Sequence, residues 1–289
     1  MTVADVARLV RFTFSHPLGK RAPLKVAARI ARWQLGVRLL GWPAVVPFAS
    51  GTQLVVERGM TGATGNLYFG LHEVEDMAFV THALRPGDLF VDVGANIGSY
   101  TVLAGGVAKA EVIACEPVPA TRERLTRNVA LNGLAGRVRV EPVAVSDHEG
   151  TVSMTTDRDA MNQVVATGGG LDVRAITLDT LLSDRTPTLI KIDVEGHEAE
   201  VIRGAARTLA RPELWAVVVE PSGTETESVR RTLEAAGFAA RRYDPFTRAV
   251  RPAEGRNPHN VLYVRTAAEA AVAERVRSAP AIDLGWAQV

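Results

Sequence analysis

Residues 90–101 read FVDVGANIGSYT, an apolar run that stops abruptly in glycines. Phe90, Val91 and Val93 suit a buried parallel strand. Asp92-x-Gly94-x-Asn96-x-Gly98 predicts a tight turn, and residues 99–107 then read as a helix. Glycines let a backbone approach a ligand closely, and a helix start offers unpaired N–H groups and a positive field. A strand, a glycine turn and a helix in that order therefore suit a nucleotide.

The spacing separates two ligand classes. A dinucleotide turn reads G-x-G-x-x-G, whereas here Asp92 stands two residues before Gly94, and the next glycine is Gly98. An acid there repels a pyrophosphate and pairs with an ammonium group. A ligand with an amino-acid end and a nucleoside end fits better than NAD, and S-adenosylmethionine is the candidate. A second apolar strand, 111–115, ends in Glu116-Pro117, with Glu116 24 residues after Asp92. In a doubly wound fold that position places an acid on the ribose hydroxyls. The alternative reading of both acids is turn capping and solvation.

Working outward, strands are expected at 89–93, 111–115, 137–145, 187–193, 214–220, 239–243 and 260–265. Helices are expected at 99–107, 119–132, 197–209 and 225–236. Such alternation implies a parallel sheet with right-handed crossovers. Asp92, Glu116, Asp147, Asp193 and Glu220 then fall at or near strand C-terminal ends. Before this unit, 52–58 and 66–69 read as a small hairpin with Gly59, Gly62 and Gly65 as turns, and 72–84 as a helix. Residues 150–156 read as an added strand, Gly168-Gly169-Gly170 as a loop, and the last residues, APAIDLGWAQV, as loosely attached.

The chain has 289 residues, 47% of them hydrophobic, enough to bury a full core. Its net charge of +1 gives no global attraction to nucleic acid. The one cysteine, Cys115, excludes an internal disulfide and reads as a small core residue. No apolar run reaches a membrane span, and no signal peptide of the usual form is expected, so the expected location is cytoplasmic. Charge is uneven: residues 1–40 hold eight basic residues against one acid, Asp5. In residues 24–40, Leu24, Ala28, Ala31, Leu35 and Leu39 share one helical face, with Lys25, Arg29, Arg32 and Arg38 largely off it. Such a helix suits an anionic membrane surface, or it packs on the rest of the chain or on a second copy in a homodimer.

Residues 189–205 read LIKIDVEGHEAEVIRGA. With FVDVGANIGSYT, the Glu116-Pro117 pair, AVSD at 144–147 and TLDTLL at 177–182, the chain resembles the FkbM family of S-adenosylmethionine-dependent methyltransferases over about residues 65–264. The resemblance implies a class I methyltransferase Rossmann-like α/β fold with a seven-stranded sheet. It also implies a partition into an N-terminal extension and hairpin (1–64), a catalytic domain (65–266) and a C-terminal helix and tail (267–289). S-adenosylmethionine is the implied cofactor. Gly94, Ala95, Asn96 and Gly98, with Asp92, would hold its methionine part. Glu116 would hold the ribose, and Ala144 and Asp147 the adenine side. Glu73 and Glu75 read first as an ordinary solvated helix face, with closure over the amino-acid end as the alternative. The implied acceptor is a hydroxyl on a small molecule, a sugar or a polyketide-like natural product.

A hydroxyl is a poor nucleophile and needs a base as its bond to the methyl carbon forms. His197 is the expected base, because its ordinary pKa lies near neutrality. Asp193 is the alternative, Glu195 orients either one, and Lys191 is the ion-pair partner that keeps the acids charged. A divalent metal is not expected, since no third ligand is assigned. Acceptor loops are expected at 156–172 and 244–259, the second with an aromatic and basic wall from Tyr243, Phe246, Arg248, Arg251, Arg256 and His259. A nicotinamide-dependent oxidoreductase and a non-catalytic S-adenosylmethionine-binding module are the competing readings.

Overall fold

The computed structural model describes residues 11, 13–40, 43–57, 60–155, 164–165, 170–220, 226–253 and 260–289. Its strands are β1 (Ala44–Pro47), β2 (Gln53–Val56), β3 (Leu89–Val93), β4 (Glu111–Cys115), β5 (Val138–Glu141), β6 (Ala144–Ser146), β7 (Gly150–Met154), β8 (Val164–Val165), β9 (Leu171–Thr177), β10 (Leu189–Ile192), β11 (Ala216–Val219), β12 (Phe238–Asp244), β13 (Ala249–Pro252) and β14 (Val261–Arg265). The main sheet has the order β13-β12-β14-β11-β10-β3-β4-β5. Strands β11, β10, β3, β4 and β5 run parallel, and β14 runs antiparallel to both β11 and β12.

Parallel strands covered on both faces must be apolar on both. Every residue of β3, β10 and β11 is buried. Phe90, Ala114 and Val218 pack on one face, beneath the helices Val74–Ala83 and Glu269–Ser278. Val91, Ile113, Ile190 and Val217 pack on the other with Ile202, Leu233 and Phe238. The exceptions are Asp92 and Lys191, paired in register on the first face and only 1% and 2% exposed.

Several expectations change. The sheet has an eighth strand, β13, cut from the expected acceptor loop at 244–259. The expected strand 137–145 splits at Pro142, whose missing N–H cannot extend the ladder. β5 stays in the main sheet, and β6 joins a second sheet of order β6-β9-β7-β8. Residues 66–69 lie in the helix Thr61–Phe69, and β2 pairs with β1 instead. Gly65 marks no turn: a Cβ there would lie 2.2 Å from the His72 ring, so helix packing demands the glycine. The expected helix 99–107 is α-helical only over Ser99–Val102 and widens to a π turn at Leu103–Val107.

The C-terminal residues are not loose. Ile282, Leu284 and Val289 are buried. Arg248 donates to the carbonyls of Val276, Ala279 and Val289. The expected basic and aromatic wall is thereby largely used within the fold. Tyr243 is buried with its hydroxyl 2.7 Å from His82 Nδ1, and the Arg21 guanidinium covers Phe246 at 3.6 Å. Arg251 stays exposed, and Arg256 and His259 lie outside the described residues. The expected acceptor loop 156–172 is described only at 164–165 and from 170 onward.

Candidate active site

The turn after β3 is fixed by the backbone. The N–H groups of Gly94 and Ala95 both donate to the Cys115 carbonyl, at 3.1 and 3.0 Å. Gly94, Asn96 and Gly98 have φ of 79°, 51° and 89°, the left-handed region that costs side chains energy. A Cβ on Gly94 would stand 1.8 Å from the Asp193 carbonyl oxygen. That glycine lets β3 and β10 deliver their turns side by side.

A cleft opens above these strand ends. On one wall, Glu116 is 6% exposed. Its two carboxylate oxygens accept from Asn96 N–H at 3.0 Å and Val118 N–H at 2.9 Å. Burial pushes this carboxyl up to about 7, against those two hydrogen bonds. Val118, Val143, Ala144 and Met154 add apolar lining.

Asp193, Glu195 and His197 line the cleft from the β10 side. Glu195 has φ of 53° and Gly196 101°, so the chain turns left-handed between strand and helix. Burial, with the charges of Asp193 and Glu198, raises the Glu195 carboxyl. His197 Nε2 lies 2.9 Å from Ser146 Oγ on β6, and its Nδ1 lies 3.5 Å from Glu200. Burial lowers the imidazole, while the Glu200 and Asp147 charges oppose that shift. His197 therefore stays neutral at neutral pH.

Behind Asp193 lies a charged cluster. Lys191 Nζ donates to Asp193 Oδ2 at 2.7 Å and sits over the Tyr100 ring at 4.7 Å. Burial alone would lower this ammonium, but Asp193, Glu73 and Asp92 outweigh it and hold it charged. Tyr100 donates to Glu73 at 2.8 Å, and the Asn260 amide donates to Glu73 at 2.9 Å and to Asp76 at 3.3 Å. Burial pushes Glu220 up to about 8, aided by Asp193 and Glu73, and pushes Asp76 up to about 8. Among the described residues, no group of three or more His, Cys, Asp and Glu is arranged to hold a metal ion.

The structure thus brings Gly94, Asn96, Glu116, Ala144, Asp193, Glu195 and His197 to one cleft. It does not bring the other expected residues there. Asp92 faces inward, accepts from Thr101 Oγ1 at 2.6 Å and is raised by burial. Ala95 and Gly98 support the turn. Lys191 stands behind Asp193. Asp147 turns outward to His148 at 2.8 Å and Arg203 at 3.2 Å. Glu75 pairs with Arg242 at 3.4 Å rather than covering the cleft. Sequence reading missed Ser146, Tyr100, Asp76, Glu200 and Asn260. Asn260 was within reach: antiparallel pairing of Val219 with Val261 sets it beside Glu220.

The parallel core, the reversed strand β14 and a cleft over the strand ends define an α/β fold of the class I methyltransferase type. A model of the FkbM methyltransferase domain matches residues 92–240, and the chain belongs to that S-adenosylmethionine-dependent methyltransferase family. It is 32% identical over 154 residues to a hexuronic acid methyltransferase of Haloferax volcanii, covering 52% of this chain and 62% of that one. It is 30% identical over 172 residues to a 31-O-demethyl-FK506 methyltransferase of Streptomyces tacrolimicus, covering 45% of this chain and 64% of that one. The matches thus span less than two thirds of either relative. A crystal structure of a precorrin-6y C5,15-methyltransferase from Geobacter metallireducens superposes with a TM-score of 0.44 at 14% identity, over 73% of this chain and 93% of that one.

Proposed function

We propose that this chain methylates a hydroxyl of a sugar or glycosylated small molecule, with S-adenosylmethionine as donor. One observation carries the reading: a buried, backbone-held carboxylate, Glu116, faces Asp193, Glu195 and His197 across a single cleft. Both Glu116 oxygens keep lone pairs for the paired ribose hydroxyls. Val118, Val143 and Met154 give an adenine its apolar surroundings, and the acids on the β10 side suit a cation. The name of the 31-O-demethyl-FK506 relative supports an oxygen acceptor, and that of the hexuronic acid relative supports a sugar.

The bound donor would supply an electrophilic methyl group on a sulfonium. The protein's own part is positioning and proton removal. Asp193, fixed by Lys191, orients the acceptor and offsets the positive charge. As the acceptor oxygen takes the methyl carbon and the carbon–sulfur bond breaks to leave a neutral thioether, the acceptor's proton would pass to His197 Nε2. Burial favours the neutral ring, and with the Nδ1 proton directed at Glu200 the lone pair falls on Nε2, which Ser146 Oγ now engages. Ser146 and Glu200 are positioning residues that set the ring's orientation.

His197→Ala is expected to lower turnover by roughly 10²–10⁴-fold. Calorimetric affinity for S-adenosylhomocysteine should stay unchanged. The acceptor assay uses labelled S-adenosylmethionine with free and glycosidic hexuronic acids. Full turnover in the variant would remove His197 from this role. Binding of NAD without S-adenosylhomocysteine would overturn the whole reading.

A further inference from the structure

We infer that the N-terminal helix Pro23–Leu40 docks the protein on an anionic lipid surface. One side of this helix is spoken for. Val26 is fully buried, and Ile30 and Trp33 pack with it against Tyr68, Phe69 and Trp286. Arg29 donates to the carbonyls of Leu67 at 2.6 Å and Tyr68 at 3.2 Å, and Gln34 donates to the Tyr68 hydroxyl at 2.7 Å.

The opposite side is apolar and open. Leu24, Ala28, Ala31 and Leu35 follow the spacing i, i+4, i+7, i+11 and form one stripe. Leu24 is 84% exposed and Leu35 60%, and both alanines are exposed. Among the described residues the exposed large apolar side chains are Phe14, Leu24, Leu35 and Val45, all from the N-terminal segment. Inward packing therefore does not explain the stripe: the helix docks through a different face.

Charge selects the occupant. Lys25 and Arg32 flank the stripe and are exposed, as is Lys20 just before the helix; Lys25 also donates to the Trp286 carbonyl at 3.1 Å. Residues 1–40 hold eight basic residues and one acid, against 33 and 32 in the whole chain, so the rest of the chain is net acidic. A second copy seated on this face through a two-fold axis would set the same basic flanks against each other. An anionic bilayer complements both features at once. The stripe enters the headgroup boundary, and the lysine and arginine heads meet anionic lipid. No helix among the described residues is long and apolar enough to cross a membrane, so the helix lies along the surface.

The test is co-sedimentation of the full chain with vesicles at about 0.15 M salt. One set is pure phosphatidylcholine, and the other holds about one quarter phosphatidylserine. Binding is expected to the second set and at least about tenfold weaker to the first. Leu24→Glu/Leu35→Glu and, separately, Lys25→Gln/Arg32→Gln should each lower binding about tenfold or more. Far-UV circular dichroism and S-adenosylhomocysteine affinity should hold in both variants, since the replaced side chains are exposed and the one bond lost is that of Lys25 to the Trp286 carbonyl, far from the cleft. No vesicle binding, or equal binding to both sets, overturns the proposal. So does a dimer in sedimentation velocity that Leu35→Glu dissolves, because the stripe would then serve a second copy. Neither result bears on the methyltransferase reading, which the S-adenosylhomocysteine affinity checks independently.

Discussion

On the β4 wall of the cleft, Glu116 is 6% exposed and held by two backbone N–H groups. On the β10 wall, Asp193 is held by the Lys191 side chain and His197 by Ser146. A carboxylate tied to backbone keeps its place whatever its neighbours become. A group tied to other side chains can be retuned by replacing a partner. The contrast fits a division of labour in which one wall meets an invariant cofactor and the other an acceptor that differs among relatives.

The sharpest way to break this contrast is Lys191→Met. It leaves Asp92, Asp193, Glu73 and Glu220 crowded without their cation, and should cost about 3–5 kcal/mol in chemical denaturation. A loss below about 1 kcal/mol would mean that the β10 wall does not depend on charge. Next in size is Glu116→Ala, expected to weaken S-adenosylhomocysteine binding by about 1–3 kcal/mol. If Asp193→Asn weakened it more, the roles of the two walls would be exchanged.

Stability should also depend on pH. Glu116 is raised to about 7, and Glu220 and Asp76 to about 8. The folded protein keeps protons there that the unfolded chain releases near pH 4, so the native state binds more protons and stability falls as pH rises. The contribution is complete below about pH 4 and lost as pH climbs towards 8. Glu116→Gln should flatten the part near neutrality, read by urea midpoints at several pH values. An unchanged slope would assign the protons to the β10 side alone.

The parallel core was legible because its strands are unbroken apolar runs, and the cleft because Gly94, Glu116, Asp193 and His197 fall at their ends. What escaped depended on partners distant in sequence. Gly65 looks like a turn until His72 is seen against it, and the C-terminal residues look loose until Arg248 is seen holding them. Asp92 read as a ligand for an ammonium group, yet its register places it opposite Lys191 inside the sheet. Alternation within β3 separates Asp92 from the rim more strongly than its place in the motif joins it there.

The lone thiol of the chain lies on the strand whose last carbonyl ties down the glycine turn. Cys115 is 1% exposed, lines the cleft, and burial pushes its ionisation far above the usual cysteine range. A thiol-specific reagent can reach that sulfur only when this corner comes apart. The native chain therefore carries its own timer: modification half-lives would report breathing of the nucleoside corner, with no engineered probe, and a nucleoside lodged above the sulfur would slow the clock.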